Sequence, residues 1–134
     1  MNLRDDPDSV AALRERKAGL KTGKKSGLVR VADLRSCEPP IEDGDLALLV
    51  GLARLDQLDL AGCAITDAGA EHLSSLIHLT TLDLQSTAIS DVGLLCLRPL
   101  QKLKLLQLGG TQVTKDGIRE IRPSMLQTRI VGGG

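Results

Sequence analysis

The sequence predicts an α/β solenoid, a stack of strand-turn-helix copies with parallel strands on a concave face and helices on a convex one. Three observations carry that prediction. Segments of the 134-residue chain superimpose when it is cut every 24 residues. Apolar residues hold the same places in every copy. The chain contains no Phe, Tyr or Trp, so its core must be built from aliphatic side chains stacked in register.

The chain opens on a segment, residues 1–30, that does not repeat. Asp8-Ser9-Val10-Ala11-Ala12-Leu13 reads as a capped helix behind Pro7, with Val10 and Leu13 on one side. Gly23 to Gly27 then suggest a hairpin turn between a short strand and a strand over 28–34. This cap would cover the edge that the first repeat strand otherwise exposes.

Four copies follow, at 31–54, 55–78, 79–102 and 103–126. Seven columns define them. One copy fills these with Leu55, Leu58, Leu60, Ile65, Ala70, Leu73 and Leu76, and the next with Leu79, Leu82, Leu84, Ile89, Leu94, Leu97 and Leu100. Over four copies 26 of 28 such positions are apolar, whereas the chain's 42% average would give about 12. Ser124 fills the last column of the fourth copy, and in the first copy Pro39 falls at the ninth position and Gly44 one place early.

Within a copy, Leu58-x-Leu60 alternates with period two, so both leucines face one side of a short strand and Asp59 faces the other. Thr66, Ser90 and Thr114 sit where a hydroxyl caps the next helix, and Asp67 and Asp91 favour its positive end. Leu94, Leu97 and Leu100 give that helix a buried stripe. One such unit cannot bury its apolar side alone, so copies stack. After them, residues 127–134 offer a short strand through Ile130 and end in three glycines, a thin carboxy-terminal closure.

The run Leu-x-x-Leu-x-Leu-x-x-(Cys/Thr)-x-Ile-(Thr/Ser)-Asp-x-Gly resembles the leucine-rich-repeat family. It is most similar to the 24-residue type with Cys or Thr at the ninth position, found in bacterial repeat proteins and in the substrate-binding arms of F-box-like ubiquitin-ligase adaptors. The resemblance covers about residues 31–126 and implies a right-handed leucine-rich-repeat solenoid used for protein recognition. No adaptor-binding box is found in residues 1–30.

Third, fifth and seventh positions of each copy should line the concave face. They are Asp33, Arg35 and Cys37; Gln57, Asp59 and Ala61; Thr81, Asp83 and Gln85; Leu105, Gln107 and Gly109. Adjacent strands lie about 4.8 Å apart, which puts Asp59 and Asp83 in one column with Arg35 before them and Gln107 after. The candidate partner-binding residues are therefore Arg35, Gln57, Asp59, Thr81, Asp83, Gln85 and Gln107. They point to a non-enzymatic protein-interaction module. The alternative is a structural protein that self-associates through its carboxy-terminal edge or its convex helices.

Other chemistry finds little footing. Basic and acidic residues balance at 17 each, which argues against a polyelectrolyte role on nucleic acid or an anionic membrane. The distribution is uneven: residues 1–30 carry eight basic against four acidic groups, 31–97 two against eleven, and 98–134 seven against two. Lys17, Lys21, Lys24 and Lys25 cluster without an interleaved aromatic residue and read as a solvated loop. His72 and His78 do not share simple helical spacing, and Cys63 should face inward while Cys96 faces outward, so no metal, cofactor or nucleophile pair is expected. Three cysteines without a Cys-x-x-Cys suit a reducing cytoplasm. Leu48 and Leu95 fall at outward helix positions.

Overall fold

A computed structural model describes residues 4–133 of the chain. Helix α1 (Pro7–Glu15) begins with the proline at its first turn, where the missing N–H costs no helical bond. Its Leu13 is fully buried. Just before it, the Asp5 carboxylate accepts from the backbone N–H of Val29 at 2.7 Å and of Ala53 at 2.9 Å, tying the amino end to the first copy. Strand β1 (Gly19–Thr22) then pairs antiparallel with β2 (Val29–Asp33).

From β2 onward every pairing is parallel: β3 (Gln57–Asp59), β4 (Thr81–Asp83), β5 (Leu105–Gln107) and β6 (Arg129–Val131) follow in chain order in one six-stranded sheet. Parallel neighbours need a crossover. Here the crossovers carry the 3-10 helix Asp43–Gly51, then α2 (Asp67–Leu73), α3 (Asp91–Leu95) and α4 (Lys115–Ile121), each packed on the next. Between sheet and helices lies the aliphatic core. Leu58, Leu82 and Leu106 pair in register, and Leu60, Leu84 and Leu108 line a second buried column beside them. Leu48 and Leu95 are half-buried against this core rather than presented outward.

Copies are joined along their helix starts by a ladder of aspartates. Asp43 accepts the backbone N–H and the hydroxyl of Thr66 in the next copy, at 2.7 and 2.5 Å. Asp67 does the same for Ser90 at 2.7 and 2.5 Å, and Asp91 for Thr114 at 2.8 and 2.6 Å. Gly69, Gly93 and Gly117 sit against these carboxylates so closely that a Cβ would overlap each one. Asp-x-Gly at a constant 24-residue interval is thus an inter-copy joint, in which the aspartate of one copy fills the space left by the glycine of the next.

The first copy departs from the register expected from its sequence. Val31 pairs with Gln57, Ala32 with Leu58 and Asp33 with Asp59, an offset of 26 residues rather than 24. The loop Glu38-Pro39-Pro40 absorbs the two extra residues, so Val29 stands where Leu55 stands and the copy's strand starts before residue 31. Cys37, not Pro39, then takes the ninth place beside Cys63. Asp33, not Arg35, takes the fifth place beside Asp59. Asp45 replaces the joint glycine, since no copy precedes to supply an aspartate. It bonds instead to the Glu42 N–H at 2.9 Å and pairs with Arg16 of the cap at 2.5 Å.

The carboxy-terminal closure is also firmer than the sequence suggests. Met125, 2% exposed, fills the core place that Ser124 leaves open, and Leu106, Leu108 and Ile121 have no exposure. Buried Thr128 donates its hydroxyl to the Leu103 carbonyl at 2.6 Å. Gly132 takes the next place in the Leu108 column, with φ +82°, and packs against the Gly109 backbone where a side chain would collide. Position thirteen of the last copy is the exposed Lys115, and the aspartate ladder stops there.

Candidate functional site

Short strands flanked by leucines leave three side chains per copy on the sheet face away from the helices. In the third column stand Val31, Gln57, Thr81, Leu105 and Arg129, and in the fifth Asp33, Asp59, Asp83, Gln107 and Val131. Gln57 is exposed, whereas Thr81, Asp59, Asp83 and Gln107 are half-buried among their neighbours.

Arg35 reaches this face from the seventh position rather than the fifth. Its Nε and Nη2 lie 3.0 and 2.8 Å from the two Asp33 oxygens, and its Nε 3.1 Å from Asp59. The Arg35 guanidinium holds the Asp33 carboxyl below the usual range, and the same carboxylates raise the Arg35 pKa. Asp59 also accepts from the Ala61 N–H at 3.0 Å. Asp83 accepts from the Gln85 backbone at 3.0 Å and from its side-chain amide at 3.1 Å, and that amide also donates to Gln107 at 2.5 Å. Arg35, Asp59, Asp83, Gln85 and Gln107 thus form one polar row, with Gln57 and Thr81 beside it.

This face holds a groove of about 380 Å³. Leu20 and Lys21 of β1 line one side, and Gln57, Asp59, Thr81 and Asp83 reach into it. Lys21 and Leu20 were not expected on this face from sequence, and Asp33 was expected there in the third column and stands in the fifth. The two-residue insertion in the first copy shifted it, and the doublet Pro39-Pro40 is the signal that locates the insertion. Nothing local to β1 announces that its side chains reach the face of the repeats.

The remaining candidates lie elsewhere. Cys37 and Cys63 are buried in the ninth column, where Thr87 and Thr111 donate to the Leu84 and Leu108 carbonyls at 2.7 Å each. Cys63 Sγ lies 3.5 Å from the Leu34 carbonyl, and burial pushes its thiol up to about 11. Burial, with Lys102 and Arg54 nearby, lowers the His78 pKa, and its Nδ1 stands 3.3 Å from Lys102 Nζ. Among the described residues no group of three or more His, Cys, Asp or Glu side chains is arranged to hold a metal ion, and no helix is long and apolar enough to cross a membrane. What the sheet face offers is an open row of carboxylates, amides and the Arg35 guanidinium, with Arg129 at the end of the third column, suited to hydrogen bonding and charge pairing with a second surface.

Comparison with known proteins adds two findings. Residues 55–74 and 75–97 each match the family model described as Leucine Rich repeat. Among curated proteins none matches the chain.

Proposed function

The chain carries leucine-rich repeats, and from that premise we propose that it is a right-handed solenoid that binds a protein partner, without catalysis, through the concave face of its sheet. Leucine-rich repeats in general mediate protein–protein interaction. The observation that carries the reading to this face is the polar row from Arg35 to Gln107, set beside Gln57 and Thr81 on short strands held rigid by buried leucines. Such a face presents side chains at fixed intervals of about 4.8 Å, so recognition depends on their identity and needs no moving part.

Self-association through the carboxy-terminal edge is the second reading: Met125 fills the core of the last copy, but Leu126 and Val131 at this end are exposed and, among the described residues, β6 pairs only with β5. Photo-crosslinking separates the two. A photoreactive residue at Thr81 is expected to trap a partner in an extract of the native source, whereas the same residue at Glu71 on α2 traps none. A partner trapped from Glu71 alone, or only a second copy of the chain trapped from both, would overturn the reading.

A further inference from the structure

The groove beside β1 carries a more specific statement about the partner, and it rests on the reading of the sheet face as a protein-binding surface. Asp33, Asp59 and Asp83 stand in register on three consecutive strands. Like charges directly opposite one another across strands destabilise a sheet. Among the described residues one guanidinium, that of Arg35, lies within ion-pair distance of the three, and it touches Asp33 and Asp59. Among the described residues Asp83 has no ion pair; its contacts are with the neutral Gln85.

A second, geometric observation points the same way. The groove of about 380 Å³ runs across the strands from Lys21 of β1 to Gln107 of β5. At about 4.8 Å per strand and about 3.3 Å per residue, an extended segment of about six residues spans it. Gln57 and Thr81 offer amide and hydroxyl groups to the backbone of such a segment. Arg35 itself displays the match the carboxylates make: two nitrogens of its planar fork meet Asp33 while its Nε faces Asp59.

We propose that this groove receives an extended segment of the partner protein that carries an arginine, with the guanidinium seated on Asp83 and on the Asp59 lone pairs that Arg35 leaves free. Lys21, on the opposite wall, excludes a second basic side chain at that end and favours an acidic or neutral one. The segment therefore has a direction: arginine toward β4, neutral or acidic residues toward β1.

The test uses blocked Gly-Ser-Arg-Ser-Gly and its citrulline and glutamate counterparts, titrated into the ¹⁵N-labelled full chain. The arginine peptide is expected to shift the amide signals of Asp59, Thr81 and Asp83 and to bind at least about tenfold tighter than the citrulline peptide, a difference lost in D59N/D83N. T81R, which places a guanidinium of the chain's own in the groove, is expected to abolish binding even if the double variant folds poorly. Equal shifts from the citrulline or glutamate peptide, or shifts from the arginine peptide scattered outside the groove, would overturn the proposal. If the partner trapped from Thr81 is trapped equally well by D59N/D83N, the groove assignment fails while the sheet-face reading stands.

Discussion

Asp67 shows how much one side chain does in this chain. It lies in the first turn of α2, and reading it as a counter-charge to that helix accounts for only half its role. Its two oxygens also accept three bonds from the next copy, from the Ser90 N–H and hydroxyl and from the Gly93 N–H at 3.1 Å. Replacing it strands buried or half-buried donors, and hydrogen bonds to a charged acceptor are worth about 1.5–3 kcal/mol each at most. Asp67→Ala is therefore expected to lower stability by about 2–3 kcal/mol in urea unfolding followed by far-ultraviolet circular dichroism, the probe of choice for a chain without aromatic residues. Gly93→Ala should cost about 1–3 kcal/mol by driving a methyl into the same carboxylate. In Asp67→Ala the glycine has room, so the double variant should lose less than the sum of the two. Strictly additive losses would show that the two residues do not share a joint.

At the scale of elements, the junction into α4 repeats this logic with a pH dependence. The Thr114 hydroxyl and backbone N–H hold the Asp91 carboxyl below the ordinary aspartate range. A carboxyl with a depressed folded pKa binds fewer protons in the folded than in the unfolded state. Its contribution is thus present above the unfolded value and is lost as pH falls through the folded one. Asp33, depressed by Arg35, has the same sign. The urea midpoint should fall as pH drops below about 4, and Asp91→Asn should flatten part of that fall. An unchanged slope in Asp91→Asn would remove the joint from the account.

Elements also show where the sequence was legible. The columns Leu58, Leu82 and Leu106 declare three strands and their register, because a 24-residue period leaves one way to stack them. The hydroxyls of Thr66 and Thr114 declare helix starts, and both do accept backbone bonds there, from Ala68 and Gly117. The first copy misled, because Val29, Ala32 and Leu34 are apolar at the same spacing as Val31 and Leu34 in the wrong frame. The pairing of β2 with β3, which sets Val31 opposite Gln57 and Asp33 opposite Asp59, decides between the frames. The groove was legible only in part: Gln57, Asp59, Thr81, Asp83 and Gln107 were expected on this face and a hairpin before it, but that Lys21 of that hairpin reaches the face is something no repeat pattern encodes.

For the molecule as a whole, the division of labour is between a core that is mostly leucine and a sheet face that is not. Leu82, Leu84, Leu106 and Leu108 have no exposure, so they fix the scaffold, and the residues between them reach the sheet face proposed for recognition. The amino end is closed by α1 and β1, with Arg16 donating to the Pro39 and Pro40 carbonyls at 2.7 and 3.0 Å. At the other end Met125 and β6 pack on the last copy, while Leu126 and Val131 are exposed. On the proposed reading, the face from β2 to β5 is where changes of side chain should alter partner choice without altering the fold.

The affinity of the partner trapped from Thr81, measured against two pairs of variants, tests this most directly. Thr81→Arg with Gln107→Arg changes the sheet face, and Glu71→Arg with Glu120→Arg makes the same kind of change on α2 and α4. The account predicts a loss of at least about tenfold for the first pair and less than about twofold for the second. The opposite ranking, with both proteins folded, would contradict it and move the binding surface to the helices.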